Sequence, residues 1–113
     1  MLFNGTNLAM TRGDSEWLWV RITDREGNYV PFVAGDTVYF TVKDNSHTET
    51  IRFQKIITEF IEGKAYITID PIDTKSMEYG RYSYDVQITF ANGTVKTVIR
   101  PAVFEILDEV TYD

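Results

Sequence analysis

Side-chain catalysis needs groups that converge. A general acid–base pair takes two carboxylates, or a carboxylate and a histidine, aimed into one cleft. The nearest such pair here is Asp70 and Asp73, in Asp70-Pro71-Ile72-Asp73. That spacing also fits a helix start. Asp70 is then the N-cap, Pro71 the first helical residue, and Asp73 a carboxylate near free backbone N–H groups. Capping accounts for both. His47 is the one histidine and sits in a turn, with no nucleophile or acid at a recognised spacing. A zinc site needs more than one histidine and no cysteine provide. Asp36, Asp70 and Asp73 are oxygen ligands of the kind calcium takes, but the sequence has no DxDxDG loop and no Gly-rich phosphate loop. The expectation is a protein that is not an enzyme and holds neither metal nor cofactor.

Two short motifs invite other readings. Arg12-Gly13-Asp14 is the tripeptide that animal integrins read, and it is also a turn entering a strand, with Gly for φ > 0 and Asp for a local backbone bond. Asn4-Gly5-Thr6 and Asn92-Gly93-Thr94 fit the N-glycosylation pattern, yet with no basic and apolar leader in the first residues both read better as turns.

The elements that position these residues are strands. Tyr82, Tyr84, Val86, Ile88 and Phe90 alternate with Ser83, Asp85, Gln87 and Thr89, which is the period of a half-buried strand. Before it lies a short helical turn near residues 71–79, with Gly80 as its stop. A corner followed by Tyr-x-Tyr is what an immunoglobulin-like sandwich has where the chain crosses between sheets. Tyr82 is then the corner tyrosine, and Tyr84 stands where antibody domains hold a cysteine.

Further strands are expected at Asn7 to Met10, Ser15 to Thr23, Thr37 to Asp44 and Lys64 to Ile69, with a short edge piece at Tyr29 to Val33 broken by Pro31. Thr50 to Ile61 has both strand-like and helix-like spacing. Its density of Thr and Ile favours a strand with a bulge, paired through a tight turn at Gly63 with Lys64 to Ile69. Asn92-Gly93 is the strongest hairpin signal. After it comes Thr94 to Arg100, then, past Pro101, an edge segment at Val103 to Leu107. The fold expected is an all-β, immunoglobulin-like antiparallel sandwich of seven or eight strands in a single domain, 1–113. Residues 1–6 form a flexible lead and 108–113 an acidic tail.

Bulk properties agree. A chain of 113 residues can bury a core without metal or disulfide. Hydrophobic residues at 43% and charged residues at 25% are globular values. A net charge of −6, with no basic run, opposes a phosphate backbone, so nucleic acid is not expected as a partner. No window approaches 18 apolar residues, so no membrane span is expected. The default location is a cytoplasm.

One group exceeds what a core requires. With Leu18, Val20, Phe40 and Val42 facing inward, Trp17, Trp19 and Tyr39 face outward, and exposed tryptophans usually meet a partner. They would anchor a protein interface or stack on a sugar ring. A one-residue shift of register would instead turn the tryptophans into the core.

Several motifs also occur in a familiar order: Arg12-Gly13-Asp14 before a strand, Phe40-Thr41-Val42-Lys43, Asp70-Pro71-x-Asp73-Thr74, Tyr79-Gly80-x-Tyr82-x-Tyr84-Asp85-Val86-Gln87 and Asn92-Gly93-Thr94-Val95. In this the chain, from Thr11 to Tyr112, resembles small proteins encoded by tailed phages and prophages of Gram-positive bacteria. It is similar to the N-terminal domain of phage baseplate upper proteins, a β-sandwich that docks a receptor-binding assembly onto the tail. The resemblance implies a structural virion or assembly component that is often oligomeric. Its partners would be other phage structural proteins or itself, and its location a bacterial cytoplasm and then the virion. The chain ends soon after the sandwich without a long C-terminal region, which leaves a smaller tail, head or accessory role open.

Overall fold

The computed structural model describes residues 1–109. Within them lie strands β1 (Leu2–Asn4), β2 (Asn7–Thr11), β3 (Glu16–Val20), β4 (Ile22–Thr23), β5 (Tyr29–Val30), β6 (Thr37–Lys43), β7 (Ile51–Ile57), β8 (Ala65–Ile69), β9 (Gly80–Thr89) and β10 (Val95–Leu107), with one helix, α1 (Pro71–Lys75). A six-stranded sheet has the order β1-β2-β10-β9-β6-β7. Opposite it, β3 pairs with β8, and β4 with β5 makes a small separate ribbon. The fold is all-β and sandwich-like, as the alternation predicts. The run β10-β9-β6-β7 facing β3-β8 has the G-F-C-C′ and B-E arrangement of immunoglobulin-like domains.

The core lies where the two inner faces meet. Val38, Phe40 and Val42 of β6 and Tyr84, Val86 and Ile88 of β9 are buried against Leu18 and Val20 of β3 and Ala65, Ile67 and Ile69 of β8. Aromatic rings fill its centre. Phe40 lies 5.2 Å from Tyr84 and 6.2 Å from Phe104, centroid to centroid, and Phe53 closes on Phe104 edge-on at 5.9 Å. Each fully buried side chain of this size stabilises the fold by roughly 1.5–3 kcal/mol.

The corner forms as its residues dictate. The Asp73 carboxylate accepts the Asp70 backbone N–H at 2.7 Å, and Lys55 of β7 reaches the same carboxylate at 2.7 Å. The Tyr82 hydroxyl donates to the Glu78 carbonyl at 2.7 Å, four residues upstream. Tyr84, in the position of the cysteine, donates to the Thr6 carbonyl and ties the β1–β2 turn to the sheet.

Several expectations are corrected. The helix is capped at Ser76, and Gly80 does not stop it. Gly80, at φ +137, opens β9 instead. The lead is not outside the sheet, because Leu2–Asn4 pairs with β2 as a strand. Ten strands form among the described residues where seven or eight were expected. Part of that excess is the break at Arg21, which splits Ser15 to Thr23 into β3 and β4. The sheet is not purely antiparallel, since β10 runs parallel to β2. Pro101 does not end its strand. Two register shifts along β10, between Thr97 and Ala102, absorb it. Val103 to Leu107 is therefore interior, between β2 and β9, and not an edge.

The β7–β8 hairpin also fails, though its turn is right. Glu62 and Gly63 both have positive φ (52° and 74°). Ile61 and Lys64 exchange backbone bonds of 3.0 Å, the pattern of a tight two-residue turn. Beyond that bridge the strands part: β7 pairs with β6 and β8 with β3. The expected bulge in β7 is present at Arg52, where the register shifts. At the far hairpin, Gly93 at φ +89 closes a three-residue loop between the bonded pair Phe90 and Thr94. Of the acidic tail, Glu109 is bound by Arg12, and residues 110–113 lie outside the described residues.

Candidate interaction surface

β3 alternates as Trp17 out, Leu18 in, Trp19 out, Val20 in. The outward register therefore holds. Trp17 is 57% and Trp19 43% exposed. Across the strand pair, Trp17 stands opposite Thr68 and Trp19 opposite Tyr66. The Tyr66 ring centroid lies 4.6 Å from Trp19 and 5.8 Å from Trp17, tilted by 43° and 45°. The Lys64 ammonium sits 5.5 Å from the centre of the Trp19 ring, a cation–π distance. Phe3 of β1, itself exposed, shares an open groove with Trp17, Leu18 and Trp19.

Tyr39 does not join this cluster. It lies on β6, in the other sheet, between Ile56 and Gln87. Its neighbours there are Thr41, Lys43, Ile51, Gln54, Asp85 and Gln87, with the exposed Ile56 directly across, so it is a single aromatic ring on a mixed face. Sequence reasoning grouped the three by parity alone, and parity does not say which sheet a strand enters. It missed Tyr66 and Lys64. Tyr66 was within reach, because Ala65, Ile67 and Ile69 inward place it outward.

The remaining candidates are occupied by structural roles. The Arg12 guanidinium donates to Glu109 at 3.0 and 2.8 Å and to the Tyr79 hydroxyl at 2.8 Å, and it stacks over the Tyr79 ring at 4.3 Å. Glu109 holds its pKa above the ordinary arginine value. Gly13 N–H donates to the buried Thr74 hydroxyl at 2.8 Å. Arg12-Gly13-Asp14 is thus a turn docked on α1 with its arginine engaged. Asp36, buried, accepts the backbone N–H groups of Val33 and Ala91, each at 2.9 Å. It joins the loop before β6 to the β9–β10 hairpin and does not meet Asp70 or Asp73. Among the described residues no three metal-ligating side chains converge, and no helix is long and apolar enough to cross a membrane. His47 donates its backbone N–H to Asn45 in an exposed turn.

In comparison with known proteins, the chain matches no family model and no curated sequence.

Proposed function

We propose that this chain is a non-enzymatic structural protein of phage or prophage origin, associated with a tail or baseplate, that works through protein–protein contacts. Its site of action would be the virion, after assembly in a bacterial cytoplasm. The observation that carries the contact reading is the half-exposed Trp17–Trp19–Tyr66 cluster on the outer face of the β3–β8 sheet. Water contact over so much ring surface is costly, and hot spots of protein interfaces are enriched in such side chains. The phage assignment is supported by the order of motifs from Arg12 to Val95.

A sugar-binding module is the competing class, and the ring geometry disfavours it. Stacking on a sugar needs an open, flat aromatic face. Here Tyr66 crosses both tryptophans at 43–45° and Lys64 stands over Trp19. These rings make a ridge and not a platform.

The test is the double variant Trp17→Ala, Trp19→Ala, with its fold checked by circular dichroism. The chain is co-expressed with the products of its neighbouring genes and run on size exclusion, and in parallel it is applied to a glycan array. The reading expects a complex that the double change abolishes. Glycan retention lost with the same change would replace it with the sugar-binding class. If neither binding is affected, the surface is not a site.

A further inference from the structure

We propose that two copies of this chain pair antiparallel along the free edges of β3, about a two-fold axis through Leu18, so that β8-β3-β3-β8 becomes one four-stranded sheet. This rests on reading the β3 face as a protein-contact surface, and it names the partner as a second copy.

The first observation is an unfilled edge. β3 pairs with β8 on one side. Among the described residues no backbone bond outside that pairing involves Glu16 to Val20. A row of N–H and C=O groups is thereby left for another strand. The outer edges of the larger sheet are protected in the usual ways. β1 has three residues, and β7 carries a bulge at Arg52 and the charged Lys55. Within Glu16–Val20 there is no proline, lysine or bulge. Beside β3 an open groove of about 250 Å³ separates Leu18 and Trp19 from Phe3, the β1–β2 turn and Val98 and Ile99 of β10.

The second observation is the order of charge along the strand. Asp14 and Glu16 stand at its start, with Glu16 already paired to the Met1 ammonium of its own chain, and Arg21 follows its end. Arg21 makes no ion pair among the described residues, and Lys64 lies at the same end. Antiparallel pairing about Leu18 sets Trp17 opposite the partner copy's Trp19, Glu16 opposite Val20 and Ser15 opposite Arg21. Each basic end then meets an acidic end, and four tryptophans form two cross-strand aromatic pairs on one face. Parallel pairing would bring like ends together. A five-residue edge with two half-exposed tryptophans a side falls among small interfaces, below about 1,200 Å². The dimer is therefore expected to be weak and to build up as the concentration rises toward ~1 mM.

The register gives a sharp test, because the chain has no cysteine of its own. Ser15→Cys and Arg21→Cys are made separately. In the proposed pairing, positions 15 and 21 of different copies are adjacent. Two copies of position 15, or two of position 21, are about 20 Å apart, well beyond disulfide reach. A mixture of the two variants under mild oxidation should give a covalent dimer, and either alone should not. In light scattering, wild type should pass from monomer to dimer with concentration. Arg21→Glu should weaken the dimer roughly tenfold, and adding Ser15→Arg to it should restore the dimer.

Wild type that stays monomeric to ~1 mM, or cross-linking as strong in each variant alone as in the mixture, overturns the self-pairing. The broader reading is judged separately. A monomer whose complex with a neighbouring gene product is lost in Trp17→Ala, Trp19→Ala sinks the dimer and leaves the contact surface standing. A dimer indifferent to that double change sinks the β3 pairing, and the contact surface falls with it only if the complex with a neighbouring gene product is indifferent too.

Discussion

Replacing Tyr82 with Phe removes one oxygen and little else. The ring stays, 9% exposed in the core, and Arg52 keeps its place 5.6 Å above it. What goes is the 2.7 Å bond to the Glu78 carbonyl, with a lesser polar interaction between the hydroxyl and Arg52. A net hydrogen bond contributes about 0.5–1.5 kcal/mol, and a carbonyl left dry would raise the loss toward about 3. Glu78 is exposed, so water can reach its carbonyl, and the expected cost is about 1–1.5 kcal/mol. For 113 residues the unfolding entropy near the midpoint is on the order of 0.24 kcal/mol/K, which converts that cost to a fall in Tm of about 4–6 °C. Urea denaturation followed by tryptophan fluorescence measures it, with Tyr39→Phe on the outer face of the larger sheet as the control. A loss below about 0.3 kcal/mol, or one equal to the control's, would show that the corner bond does not hold the β8–β9 crossover and would refute the reasoning.

Burial raises the Tyr84 phenol from 10.0 to about 12. Between these values the unfolded chain loses its proton first, so stability is unaffected below pH 10 and falls as pH rises from 10 to 12. The loss is at most about 2.7 kcal/mol. The difference between wild type and Tyr84→Phe, followed by denaturation at stepped pH, should show that slope, and a flat difference would contradict it. Asp36→Ala strands the Val33 and Ala91 N–H groups and should cost about 2–4 kcal/mol. Asp36→Asn, which keeps one acceptor, should cost about half as much in the same assay.

Alternation along the chain marked out most of the strands and divided each into two faces. Alternation is a local property of two-residue period, so Leu18 with Val20 and Trp17 with Trp19 were legible as opposite faces, and so was most of the Gly80–Thr89 strand. That the tryptophan face is the outer one was decided by the tertiary structure, because a one-residue shift exchanges the faces. The corner was legible because it too is local: Asp70, Asp73, Tyr82 and the Glu78 carbonyl lie within one short stretch. The Ile61–Lys64 turn was read correctly from Gly63.

Strand partners were decided by tertiary structure alone. A backbone N–H bonds equally well to any strand that presents a carbonyl, so local sequence does not name its neighbour. The tight turn at Gly63 could not say that β7 would leave for one sheet and β8 for the other. Nor could Pro101 reveal that β2 would lie parallel against the strand beyond it, making Val103 to Leu107 interior. The surface followed from those pairings. Tyr39 left the tryptophans because β6 joined the larger sheet, and Tyr66 reached them because β8 took β3. Arg12, 97 positions from Glu109, was captured because β10 brought its far end alongside β2.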